Sequence, residues 1–197
     1  MPSSNSLTMR TSAKVGRRRV RYSVAMTLDG YVAGPNGESD WIVIDPEIDF
    51  AALTSSFDTM LLGRKTYEAA RQMGQGAAMP GMQAYVLSST LKQSDCPGVT
   101  VSDNARDTVA KLKAARGKDI WLFGGGSLFR SLLGMGLVDT VEVAIIPVLL
   151  GGGIRLLPEP ADRAKLKLTK HRTYAKTGTV ALEYDVVSGA ATRSRTS

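Results

Sequence analysis

Ile120-Trp121-Leu122-Phe123-Gly124-Gly125-Gly126-Ser127-Leu128-Phe129 reads as a buried strand, a glycine turn and a helix start in direct succession. Glycines let a backbone approach a ligand closely. The unpaired N–H groups and the dipole at a helix start attract an anion. The turn is not a Walker motif, because no Gly-Lys-Ser/Thr follows, and it lacks Rossmann spacing. A similar junction lies upstream at Thr59-Met60-Leu61-Leu62-Gly63-Arg64-Lys65-Thr66. There the strand ends at Gly63, and two cations and a hydroxyl open the helix. Cations oppose the positive end of a helix dipole. Arg64, Lys65 and Thr66 therefore suggest an anion carrying more charge than a backbone turn holds, such as a 2′-phosphate on adenosine. Ser88 and Ser89, after the strand Gln83–Leu87, offer further phosphate or ribose contacts. Two anion sites at strand C-terminal ends suit a phosphorylated dinucleotide.

Around these junctions, strands alternate with helices. Val20–Met26 is a strand running into the turn Thr27-Leu28-Asp29-Gly30, and Tyr31–Ala33 is a second extended piece. Asp45-Pro46 predicts a helix start, with Phe50, Leu53 and Phe57 as its apolar stripe. Val99–Val101 is a short strand. Asn104 caps a helix carrying Val109 and Leu112 and ending at Gly117. Val141–Ile146 is a strand, and Pro147–Gly153 a loop. Leu166–Tyr174 and Val180–Val186 pair as a terminal hairpin. The pattern predicts an α/β fold with a central mixed, mostly parallel sheet flanked by helices. The domain spans residues 20–187, between disordered tails at 1–19 and 188–197.

Charge and composition narrow the classes. The net charge of +7 suggests nucleic acid. However, six of the 25 basic residues lie in 1–21 and two more at Arg193 and Arg195, while all 18 acids lie between. The body is balanced, so nucleic acid is not expected as a partner. No apolar run reaches the roughly 18 residues of a membrane span, and no secretory signal opens the chain. A single cysteine, Cys96, excludes an intramolecular disulfide and makes a reducing cytoplasm the default. One histidine, His171, and one cysteine give zinc no ligand set.

Four further residues are candidates for the reacting end. Trp41, in the polar loop Gly37-Glu38-Ser39-Asp40-Trp41-Ile42, offers either a flat surface for an aromatic ring or a core anchor. Asp29 either caps its own turn or faces a cleft. Glu47 and Asp49 flank the apolar stripe of the first helix, where a carboxylate can hold a substrate N–H or supply a proton.

Together these stretches resemble the dihydrofolate-reductase-like superfamily. Leu62–Glu68 resembles its NADPH-binding helix opening, Leu87-Ser88-Ser89 its 2′-phosphate strand end, and Phe123–Ser127 its pyrophosphate turn. Ser23–Gly30, Gly37–Ile42 and Pro147–Gly153 are most similar to the reductase domain of the riboflavin-biosynthesis deaminase-reductase. The resemblance covers about residues 20–187. It implies a three-layer fold, NADPH as hydride donor, a heterocyclic substrate and often a homodimer. In the riboflavin branch that substrate is 5-amino-6-(5-phosphoribosylamino)uracil. By the resemblance Ser39 meets substrate, and Met26, Trp41 and the stretch Gly124–Leu128 meet cofactor. Gly124 stands where the riboflavin reductases usually carry an acid, and Glu47 lies nearest the acid of the pterin reductases. Reduction of dihydrofolate or another pterin, and non-catalytic NADPH binding, are therefore the alternative readings.

Overall fold

The computed structural model describes residues 17–72 and 78–187. Of the tails expected at 1–19 and 188–197, residues 1–16 and 188–197 lie outside them. Elements follow in the order β1 (Val20–Thr27), β2 (Tyr31–Ala33), α1 (Phe50–Ser55), β3 (Phe57–Gly63), α2 (Arg64–Gln72), β4 (Gln83–Leu87), β5 (Thr100–Ser102), α3 (Ala105–Ala114), β6 (Asp119–Gly124), α4 (Gly126–Gly134), β7 (Thr140–Ile146), β8 (Ile154–Arg155), β9 (Leu166–Tyr174) and β10 (Thr179–Val186). Eight strands form one sheet in the order β5-β4-β3-β6-β1-β7-β10-β9, and β2 pairs with β8 apart from it. Pairing is parallel from β5 to β7 and antiparallel through β10 and β9.

Alternation along the strands makes three layers. On β3 and β6, Leu61, Ile120 and Leu122 face a cluster with Val109, Leu112, Phe129 and Leu132 of α3 and α4. Met60, Leu62 and Trp121 face the opposite cluster, with Tyr67 of α2 and Leu53 of α1. Successive strand side chains point to opposite faces, so one strand serves both layers. The α3/α4 layer reaches β1 and β7, and Tyr22 stacks on Phe129 with ring centroids 4.0 Å apart. The buried α1/α2 cluster draws on β3, β4 and β6 but on none of β1, β7 or β10.

The first helix begins later than Asp45-Pro46 predicts. Asp49 is the N-cap, its Oδ1 accepting from the Ala52 N–H at 2.8 Å. Asp45 is fully buried and bonds the distant hairpin turn instead: its Oδ2 accepts from Thr177 N–H at 3.1 Å and Thr177 Oγ1 at 3.0 Å. Phe57, expected on the helix, starts β3. The α3 helix ends at the C-cap Ala115, ahead of Gly117. Arg18, which charge alone assigns to the tail, is buried; it bonds the backbone oxygens of Lys118 and Leu112 and pairs with Asp58. The extended piece Tyr31–Ala33 finds its partner in β8, a two-residue strand just after the loop Pro147–Gly153, with Tyr31 against Arg155.

Two outcomes are expected. Leu122→Ala, at a position with no exposure, should lower unfolding free energy by about 2–5 kcal/mol, read by urea denaturation. Asp45 is held below the ordinary carboxylate range: burial opposes its charge, but hydrogen bonds from Glu47 N–H and Thr177 and the charge of Lys176 outweigh it. Its stabilisation is therefore present above the unfolded carboxylate value of about 4 and lost as pH falls through the lower folded value. Asp45→Asn should flatten that acid limb of a stability–pH curve; an unchanged limb would refute the assignment.

Candidate active site

Parallel pairing places the C-terminal ends of β1, β3, β4, β6 and β7 along one edge of the sheet. The register pairs Gly63 with Leu87 and Leu62 with Gly124. The two glycine-opened helix starts are therefore neighbours. A Cβ built on Gly63 would lie 3.7 Å from the Gly124 carbonyl oxygen and 3.9 Å from the Gly125 nitrogen. A Cβ on Gly125 would lie 3.3 Å from Thr66 Oγ1. The first turn of α2 thus faces the first turn of α4. Gly124 has φ +145°, a conformation that favours glycine, and the Gly124–Gly125 peptide is cis. The α4 N-cap is Gly125, so no side chain caps its first N–H groups. Those donors suit an anion.

A cleft of about 1070 Å³ opens beside this junction. It occupies the sheet face that α1 and α2 leave uncovered. Lys65, Thr66, Gly124 and Gly125 line one end. Ser39 and Asp49 also line it, and with them Val32, Ile42, Val43, Ile44, Phe50, Trp121, Phe123 and Ile154. Phe123 lies on the same face of β6 as Trp121 by strand alternation, and the β3–β6 register shifts beside it, between Leu61 and Leu62. Phe123 is 38 % exposed and meets Trp121 edge-on at 5.2 Å.

Several residues predicted for the site have other places. Met26 is on the face of β1 that packs against the α3/α4 core, and its neighbour Ala25 lines the cleft. Trp41 is buried, and its indole N–H donates to the Glu38 carbonyl at 3.2 Å, anchoring the loop. Asp29 turns to the loop after β7. Its carboxylate accepts from Thr27 Oγ1 at 2.6 Å, Gly151 N–H at 2.7 Å and Leu150 N–H at 3.3 Å. Those bonds, the Thr27 hydroxyl first, hold it below the ordinary carboxylate range. Glu47 pairs with Arg172 at 3.3 Å and Lys176 at 3.9 Å and does not line the cleft. Asp49 is the one of these three acids that does.

At the glycine end of the cleft, Arg64 is exposed and pairs with Glu68 at 3.2 Å. Ser88 follows β4 on the same edge, its Oγ accepting from the N–H groups of Thr90 and Leu91, and Ser89 is exposed beside it. Gly126 is buried against β8: a Cβ there would lie 2.7 Å from the Arg155 carbonyl oxygen. Ser127 is exposed, and Leu128 is half-buried against the core. The apolar wall of Ile42, Val43, Ile44, Phe50, Phe123 and Ile154 is absent from the predicted site. Its one visible signal is the apolar run Trp41–Ile44 inside an otherwise polar loop. No group of carboxylates, histidines and cysteines suited to a metal occurs among the described residues. Nor is any helix among them long and apolar enough to cross a membrane.

The family model for the RibD C-terminal domain matches residues 18–180. The uncharacterized protein YyaP of Bacillus subtilis (strain 168) is 36% identical over 179 residues, 85% of this chain and 95% of that one. A candidate riboflavin biosynthesis protein from Shewanella sp. PV-4 superposes with TM-score 0.72 at 24% identity, covering 86% of this chain and 99% of that one. A dihydrofolate reductase from Enterococcus faecalis, complexed with NADP(H), superposes with TM-score 0.62 at 20% identity, over 86% and 95% of the two chains. The fold is dihydrofolate-reductase-like.

Gly125→Ala is expected to weaken binding of a dinucleotide phosphate by about tenfold or more, because the added methyl meets Thr66 Oγ1 where the backbone must approach the ligand. Its melting temperature should shift by no more than about 5 °C. Undiminished affinity in calorimetry would exclude this turn as the anion site.

Proposed function

We propose, from the premise that the chain belongs to the RibD C-terminal domain family, that it is an NADPH-dependent reductase of the riboflavin-biosynthesis type acting on a heterocyclic substrate. The observation that carries this reading is the meeting of two glycine-opened helix starts at one end of a large cleft. The residues fit the cofactor. Gly124, Gly125 and Gly126 with Ser127 would hold the pyrophosphate on the α4 N-terminus. Arg64, Lys65 and Thr66, with Ser88 and Ser89, would hold the adenosine phosphate on the adjacent edge. The exposed Arg64–Glu68 pair is weak enough to yield its guanidinium to a phosphate.

NADPH, when bound, supplies a hydride. The remaining work of the chain is alignment and exclusion of water. Trp121 and Phe123 floor the cleft from β6, and the loop 39–44 walls it. Ser39 would meet the substrate, and Asp49 would accept a substrate N–H at the wall. A homodimer and a cytoplasmic location belong to the same proposal.

Calorimetric titration should show NADPH binding about tenfold or more tightly than NADH. Arg64→Ala combined with Lys65→Ala should remove most of that difference. Equal affinities, or none, would sink the cofactor assignment; a preference that survives the double variant would sink its assigned cause. Asp49→Asn keeps a capping side chain at α1, so its melting temperature should hold. Turnover of the substrate should fall by about tenfold or more; unchanged turnover would remove Asp49 from the site.

A further inference from the structure

We infer that Glu142, on the floor of the cleft, determines specificity by accepting hydrogen bonds from the N–H edge of a flat heterocycle. This rests on the reading of the cleft as a reductase site, and names the group that the acceptor must present.

The sheet register lays out the floor. On the face that α1 and α2 leave open, Ala25, Ala144 and Ala181 stand side by side on β1, β7 and β10. All three line the cleft. Each raises only a methyl group above the backbone, so the row is a shallow platform about 10 Å across, two strand spacings wide. A ring can lie flat on it in van der Waals contact. The next row, toward the N-terminal ends of β1 and β7, is polar. Ser23 pairs with Glu142, and Glu142 with Glu183. These three also line the cleft. A ring on the alanines therefore turns an edge to Glu142.

Glu142 differs in burial from the other acids around the cleft. Glu183 with Lys170 and Glu47 with Arg172 are exposed pairs, which water and ligands rearrange easily. Glu142 is 8 % exposed, and the side chain of its partner Arg21 is 18 % exposed. The guanidinium meets the carboxylate with two nitrogens, Nε 2.6 Å from Oε1 and Nη2 2.9 Å from Oε2. It is itself fixed by Ser56 Oγ at 3.1 Å, by Asp119 at 3.4 Å and by the Phe57 ring, whose centre is 4.7 Å away. The carboxylate is thus held in one orientation. An ionised carboxylate offers about four acceptor positions. Arg21 fills one on each oxygen, and no other donor among the described residues reaches either. The remaining capacity falls to whatever occupies the cleft. A ring without donors would strip water from those positions and leave them unpaired, which is costly. A ring with N–H groups on that edge, as in a cyclic amide or amidine, replaces the water with charge-assisted bonds. The apolar wall favours rings in general, and Glu142 selects among them. A polar group left unpaired by the wrong ligand discriminates more sharply than apolar contact does.

The test uses lumazine and 1,3-dimethyllumazine, which share one bicyclic ring; in the second, methyl groups replace both N–H donors of the pyrimidine half. Each is titrated by calorimetry into the full-length protein, alone and with NADP+, below neutral pH so that lumazine keeps both protons. Lumazine should bind about tenfold or more tightly than its dimethyl analogue. Glu142→Gln keeps the shape but leaves one acceptor oxygen, which Arg21 takes. It should weaken lumazine binding by about tenfold or more and leave that of 1,3-dimethyllumazine unchanged. An equal loss of both would make Glu142 structural only and overturn the inference. A preference that survives Glu142→Gln would come from the bulk of the methyl groups and overturn it too. So would equal affinities in the unaltered protein, or no binding of either ring, and these two readings need no variant to fold. Melting curves check the fold of Glu142→Gln. NADP+ titrated without a ring reads the cofactor end separately. If it fails to bind while the lumazine preference persists and is lost in Glu142→Gln, the reductase reading falls and the role of Glu142 stands. If NADP+ binds and the preference is missing, the reverse holds.

Discussion

Everything that makes the site depends on the parallel ladder between β3 and β6. Its register sets Leu62 beside Gly124, and so brings two helix starts distant in sequence to within van der Waals reach. A slip of one residue would invert the faces of β3. Leu61 and Leu62 would then exchange layers, and Gly63 would no longer stand against the Gly124–Gly125 peptide. The ladder is also where the regular pattern breaks. The extra residue on β6 leaves the backbone pairing beside Gly124, next to Phe123 on the cleft face.

The second consequence is unequal cover. The α3 and α4 helices close one face from β3 to β7, whereas α1 and α2 stop at β6. A sheet face without helices normally carries polar side chains. Here β1, β7, β10 and β9 meet this with Arg21–Glu142, Lys170–Glu183 and Arg172, while the loop 39–44 adds apolar groups opposite. That loop has no regular structure of its own. Asp45 ties it to the hairpin turn at one end, and the Trp41 indole anchors it at the other. The open half of the sheet is therefore a cavity with a fixed rim.

Much of this was legible in the sequence, and the failures share a cause. The strand–glycine–helix junctions, the Asn104 cap and the terminal hairpin are local patterns, and the fold places them as read. The start of α1 is different. Asp45 and Asp49 are equally good caps by local rules. The choice is made by Thr177, 132 residues away, whose hydroxyl and N–H claim Asp45. Met26 and Ala25 are likewise equal until one knows which face of β1 the helices leave open. Arg18 looked like tail because its partners, Lys118, Leu112 and Asp58, lie 40 to 100 residues on. Phe123 follows Trp121 by alternation, but that α1 and α2 leave it uncovered is a tertiary fact no local pattern carries.

The fate of the acids bears on what kind of chemistry the cleft can host. Asp29 holds the β1 turn to the loop after β7, Asp45 holds the cleft wall to the hairpin, and Glu47 holds Arg172. Each carboxylate accepts from fixed donors, and those of Asp29 and Asp45 are thereby kept ionised further into acid. Acids tuned for proton transfer near neutral pH are shifted the other way. Carboxylates arranged like these position backbone rather than exchange protons. A hydride-transfer site needs that most, since its rate rests on the alignment of two rings. In the proposed reductase the rigid rim, the cleft floored by Trp121 and Phe123, and the glycine edge beside Thr66 would form one alignment device, in which the acids act through the loops they fix.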